Sequence, residues 1–124
     1  MEGWVSIHRK ITENSIWDDK PFSRGQAWID LIMAVNHEDR KIMLNGNVIA
    51  IKRGQKITSL KLLSERWGWS IKKVRKFLEV LENEKMLTLN VTKRGTLVTV
   101  DNYEVYQPNG HTEETQKKHR RNIE

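Results

Sequence analysis

Thr58-Ser59-Leu60-Lys61-Leu62-Leu63-Ser64-Glu65-Arg66-Trp67-Gly68-Trp69-Ser70-Ile71-Lys72-Lys73-Val74-Arg75-Lys76-Phe77-Leu78-Glu79-Val80-Leu81-Glu82-Asn83-Glu84-Lys85 reads as two helices joined by a tight turn. Gly68 supplies the left-handed backbone position that ends a helix. Ser59 and Ser70 stand where N-caps belong. In the second helix Val74, Phe77, Leu78 and Leu81 recur at i, i+3, i+4 and i+7, one apolar face. At about 100° per residue, Lys72 and Lys76 point away from that face, with Lys73 and Arg75 on its flanks.

The order of charge along this second helix runs against local stability. Lys72, Lys73, Arg75 and Lys76 occupy its first half, and Glu79, Glu82 and Glu84 follow. An isolated helix prefers acids first and bases last, by about 0.3–1 kcal/mol per well-placed charge. An anionic partner would offset that cost, and helix-turn-helix proteins put the N-terminal part of their second helix into the DNA major groove. The plainer alternative is a solvated basic face in which Arg75 and Glu79 form an ordinary i, i+4 pair.

Charge over the whole chain points the same way. The net charge is +6 over 124 residues. Residues 1–51 carry six bases against seven acids, and residues 95–124 four against five, whereas residues 52–94 carry twelve against four. Positive charge confined to one segment is the electrostatic footprint of a nucleic-acid binder. A basic membrane-surface helix would need a broad apolar face open to lipid, a face more simply used here as core. With no cysteine, disulfides, zinc–thiolate sites and thiol catalysis are excluded. No apolar run reaches the roughly 20 residues of a membrane span, and the N-terminus lacks a signal-peptide pattern. A soluble, cytoplasmic domain is expected.

Outward from the motif, Lys56-Ile57-Thr58 reads as a short strand leading into the first helix. After the second, Leu87, Leu89 and Val91 alternate with Thr88, Asn90 and Thr92 as a half-buried strand. Lys93-Arg94-Gly95 makes a basic turn, and Thr96–Val100 returns. Two helices followed by a hairpin with a basic tip make a winged helix, with Lys93 and Arg94 placed to reach phosphates or the minor groove. The bland counterpart is a plain surface turn. Upstream, Asn45-Gly46 between two apolar runs is a strong hairpin signal. Ala27 to Val35 is apolar on nearly every side, a central buried helix entered through a Ser23/Gln26 capping box, with Trp28 and Leu31 in the core. Residues 4–17 read as a short amphipathic helix and a turn resting on Trp4, Ile7, Ile11, Ile16 and Trp17, with His8-Arg9-Lys10 as solvated surface. Asn102 to Tyr106 closes the domain, with both tyrosines packing back on it. Residues 108–124 hold one aliphatic side chain, Ile123, and form a polar linker or disordered tail.

An ordered set of residues resembles the N-terminal domain of phage replisome organisers, replication-initiation proteins related to DnaD-like primosomal proteins. It comprises Gly3-Trp4, His8-Arg9-Lys10-Ile11, Ile16-Trp17, Gln26-Ala27-Trp28, Asn36-His37, Arg53-Gly54-Gln55, Thr58-Ser59, Trp67-Gly68-Trp69-Ser70, Val74-Arg75, Asn102-Tyr103 and Tyr106-Gln107, and so spans residues 3–107. The resemblance implies a winged helix that binds origin DNA and helps bring a helicase loader to it. Two positions depart from the pattern. Such domains carry Gly where this chain has Lys85, so the second helix must end on Asn83 or on a strained residue. The family also continues into a C-terminal domain that contacts the loader or other replisome proteins, and nothing after Gln107 has the composition for it.

The reading is therefore an α+β winged helix-turn-helix over residues 1–107, with an N-terminal helical extension and an extra β-hairpin. It is non-catalytic, without cofactor or metal, and binds double-stranded DNA in phage or prophage replication initiation. The DNA-binding residues expected are Lys72, Lys73, Arg75 and Lys76 in the major groove, Lys93 and Arg94 on the wing, Lys61 and Arg66 as phosphate contacts, and Ser70 at the helix start. One rival is a transcriptional regulator on the same fold, which the fold cannot separate. A second is a protein-interaction module whose winged helix serves homo-oligomer formation in a primosome. No Gly-rich phosphate loop or ligand-spaced His and carboxylate set argues for an enzyme.

Overall fold

Ser23, Ser59 and Ser70 each turn a side-chain oxygen onto the backbone N–H three residues ahead and start the three helices (Gln26, Leu62 and Lys73 donate). These are α1 (Arg24–Ala34), α2 (Leu60–Trp67) and α3 (Ile71–Asn83). The computed structural model describes residues 6–103. Within them the protein is mixed α+β, with these helices and two small antiparallel sheets. Tyr106 and the tail from 108 lie outside the described residues, as does Trp4.

The first sheet is the hairpin β1 (Arg40–Leu44) and β2 (Asn47–Ile51). Asn45 and Gly46 both take positive φ, 52° and 79°, the backbone that a two-residue turn needs to match strand twist. The second sheet is ordered β3-β5-β4, from β3 (Gln55–Thr58), β4 (Leu87–Thr92) and β5 (Gly95–Val100). All its pairings are antiparallel, with Val98 opposite both Lys56 and Leu89.

One buried cluster joins Ala27 and Leu31 of α1, Leu63 and Trp67 of α2, the predicted Val74, Phe77, Leu78 and Leu81 of α3, and Leu87 and Val98 of the sheet. A second, smaller cluster sets Ile32 and Val35 against Val100 and Tyr103. Trp28 is only half-buried and packs against both clusters. The α1 run is less uniformly buried than its composition suggests, since Ile29 lies at the surface.

Gly68 closes α2 at φ 72°. A Cβ there would stand 2.9 Å from that of Lys20, so both conformation and space demand glycine. α3 ends as the departure at Lys85 requires. Lys85 itself takes the left-handed conformation at φ 59°. Its N–H donates to Glu82 O at 3.0 Å and that of Met86 to Leu81 O at 2.9 Å, a Schellman closure built without glycine.

The N-terminal extension departs from expectation. In place of an amphipathic helix there is a five-residue 3-10 segment, Arg9–Glu13, with no buried residue, and Ile16 is 82% exposed. So short a segment cannot turn a full apolar stripe inward. Of the expected apolar contacts Trp17 packs against the main cluster, and polar contacts tie down the rest. Arg9, read from sequence as solvated surface, donates from Nε to Met33 O at 3.1 Å and from Nη2 to the Tyr103 hydroxyl at 2.9 Å. The Arg53 guanidinium lies 4.7 Å over the same tyrosine ring.

Candidate nucleic-acid interface

The turn between α2 and α3 is fixed by aromatic packing. Trp67, Trp69 and Phe77 meet edge to face with centroids 5.0–5.8 Å apart. The Trp69 indole N–H donates to Phe22 O at 2.8 Å, and Phe22 N–H donates back to Trp67 O at 2.9 Å. The residues just before α1 are thus bolted to the turn that launches α3.

With its apolar stripe held inward, α3 presents Lys72, Lys73, Arg75 and Lys76, all exposed, from its first half. Lys72, Arg75 and Lys76 make no side-chain hydrogen bond or ion pair among the described residues, so the Arg75–Glu79 pairing does not form. Lys73 is held, with its ammonium 4.3 Å over the Trp69 ring. Ser70 is engaged as the cap, accepting from Lys73 N–H at 3.1 Å. These residues divide by direction. Ser70, Lys72, Lys73 and Lys76 line a cleft of about 530 Å³ together with Phe77, Val80 and Arg24 of α1. Arg75 shares the opposite flank with Glu82, whose carboxylate accepts from Leu89 N–H at 2.9 Å. Arg75 therefore lies toward β4.

Lys93 and Arg94 form the β4–β5 turn. The Thr92 hydroxyl clasps it, accepting from Arg94 N–H at 3.1 Å and donating to Gly95 O at 2.7 Å. Both cationic side chains are exposed and unpaired among the described residues. Lys61 is likewise exposed on the first turn of α2.

Arg66 is a different case. Its Nε and Nη2 donate to the two carboxylate oxygens of Asp30 at 2.6 and 2.7 Å. Asp30 is 1% exposed, yet each of its oxygens accepts two bonds. Oδ2 takes Arg66 Nε and the Trp67 indole N–H at 2.9 Å. Oδ1 takes Arg66 Nη2 and the Trp17 indole N–H at 3.1 Å. Hydrogen bonding to Asp30 raises the Arg66 pKa above its ordinary value, against the opposing effect of burial. The guanidinium expected on phosphate is held by a buried carboxylate while its side chain stays 41% exposed, so its charge is already matched within the fold.

Arg24 is the cation that sequence reading passed over, because it was seen only as the second residue of a capping box. The available signal was the one that singled out α3, a base in the first turn of a helix. Among the described residues no group of three or more His, Asp or Glu side chains could hold a metal ion, and no helix is long and apolar enough to cross a membrane. No family model, curated protein or solved structure matches the chain.

Proposed function

We propose that this domain is a non-catalytic winged helix that binds double-stranded DNA, with α3 as the recognition helix and the β4–β5 hairpin as the wing. One observation carries the reading. Lys72, Arg75 and Lys76 leave the exposed side of a helix whose inner side is anchored by four buried residues, and none has an internal partner. Cations gathered at a helix start without acids to neutralise them are destabilising in isolation, and a row of phosphates removes that penalty while releasing counterions. Lys93 and Arg94 supply the wing contacts and Lys61 a phosphate contact from α2. Placement in phage or prophage replication initiation, in the cytoplasm, rests on the resemblance of the ordered residue set. A transcriptional regulator is the alternative on the same interface.

A second reading has its own observation. On the β1–β2 hairpin, the cross-strand pair Met43 and Val48 is 73% and 64% exposed. An apolar pair of this kind suits self-association, and it leaves the α3 surface free for DNA.

The deciding experiment is competition binding of Lys72→Ala/Lys76→Ala at several salt concentrations. If both lysines contact phosphate, the slope of log K against log salt falls by about 1.8, since each contact contributes about 0.9. Melting should be unchanged. A wild-type slope would remove α3 from the interface. Selection of bound fragments from a genomic DNA pool then separates the two roles, because an initiator should recover repeated sites beside replication genes and a regulator should recover promoters.

A further inference from the structure

The cleft between the start of α1 and the first half of α3 is built from two elements that no local motif connects. Four cations, Arg24, Lys72, Lys73 and Lys76, line it, and no acidic side chain does. Its floor is the ring of Phe77 and the side chain of Val80, the latter 49% exposed. Arg24 has no hydrogen-bond or ion-pair partner among the described residues, and Lys73 is steadied over Trp69. Arg24 follows Phe22 by two residues, and Phe22 is joined to the α2–α3 turn by two hydrogen bonds. The spacing between Arg24 and the α3 lysines is therefore set by the fold.

We infer that this cleft is a second anchoring point, where Arg24 with Lys73 and Lys76 grips the phosphate backbone of one strand while Arg75 and the hairpin tip face the other side of α3. The inference rests on the duplex-binding reading above and adds α1 to the interface. Charge complementarity selects the occupant, since convergent, unpaired cations without a nearby carboxylate match a polyanion, and an arginine fork matches phosphate oxygens in particular. The small apolar floor suits sugar C–H groups between successive phosphates.

The test compares salt-dependent duplex binding by wild type, Arg24→Ala, Arg24→Lys and Arg40→Ala, with melting measured for each. Arg24 is exposed and unpaired, so its variants should fold as wild type. Arg40, on β1, gives the same charge change outside the cleft. The inference expects the Arg24→Ala slope to be shallower by about 0.9, so that wild type loses about 3.5-fold more affinity than this variant between 50 and 200 mM salt. Arg24→Lys should restore most of the slope, and Arg40→Ala should leave it intact. A wild-type slope for Arg24→Ala, or equal decreases for Arg24→Ala and Arg40→Ala, overturns it. If Lys72→Ala/Lys76→Ala still flattens the slope, only the α1 cleft fails. If wild type shows no salt-dependent binding at all, the duplex-binding reading fails with it.

Discussion

Replacing Asp30 tests how far the charge of Arg66 is committed to the fold. The carboxylate accepts four hydrogen bonds, two on each oxygen, from Arg66, Trp67 and Trp17. Asp30→Ala leaves the part-exposed Arg66 guanidinium without its carboxylate and the N–H of the fully buried Trp67 without an acceptor. Breaking a buried pair from one side costs about 3–5 kcal/mol, and the 41% exposure of Arg66 places this pair below that range, at about 2–3 kcal/mol. For a domain of this size about 1 kcal/mol moves the melting temperature by 4–8 °C, so the fall should exceed about 8 °C. Asp30→Asn should be nearly as damaging although its shape is retained. Whichever oxygen becomes an amide nitrogen, two donors then face two more. The double variant Asp30→Leu/Arg66→Met removes both charges and should recover part of the loss, leaving the orphaned indole N–H groups at about 1–3 kcal/mol. Urea and thermal denaturation of wild type, Asp30→Leu, Arg66→Met and the double variant give the coupling. Arg66→Ala adds the functional arm, since it should lower stability yet leave the salt slope of DNA binding unchanged. A loss below about 1 kcal/mol for Asp30→Ala, within the range of ordinary substitutions, or strict additivity across the cycle, would refute a structural role for the Asp30–Arg66 pair.

Three further outcomes can be checked with the same assays. Lys93→Ala/Arg94→Ala, at an exposed turn, should change stability by no more than about 0.5 kcal/mol while weakening and flattening salt-dependent DNA binding; unchanged affinity would take the hairpin tip out of the interface. Lys85→Gly should raise the denaturation midpoint, by an amount on the order of 1 kcal/mol, because it relieves a left-handed non-glycine residue at the end of α3; a lower midpoint would mean that the Lys85 side chain contributes more than its backbone costs. Leu31→Ala, at a position 2% exposed in the main cluster, should destabilise by about 2–5 kcal/mol, and a value near that of a surface change would contradict the central place of α1.

What could be read in the sequence was what local chemistry determines. The caps at Ser23, Ser59 and Ser70, the Asn45-Gly46 turn and the Gly68 break are one-to-four-residue signals with a steric or hydrogen-bonding cause. The α3 stripe and the alternation of β4 follow from periodicity. The Asp30–Arg66 pair spans 36 residues, and periodicity carries no information about such partners. A lone carboxylate inside an apolar helical run was nevertheless a clue, because a buried charge must be paired. The same limit hid Arg9, whose partners Met33 and Tyr103 are distant in sequence. It also hid the approach of Arg24 to α3. At residues 6–17 the difference runs the other way, since isoleucines at roughly helical spacing suggest a packed helix where a short 3-10 segment, Arg9–Glu13, forms.

The bond pair between Phe22 and the Trp67–Trp69 turn has a kinetic consequence. Surfaces that order themselves on contact show an isomerisation step and an association rate that levels off as partner concentration rises. Here the starts of α1 and α3 are fastened together before any partner arrives, so little is left to rearrange at those two positions. Association through them should remain a single phase, linear in duplex concentration and accelerated at low ionic strength by electrostatic steering. Phe22 makes both bonds through its backbone, while its ring is buried in the main cluster edge-on to Trp17. Loss of the Trp69 indole N–H removes one of the two bonds and leaves the other, from Phe22 N–H to Trp67 O.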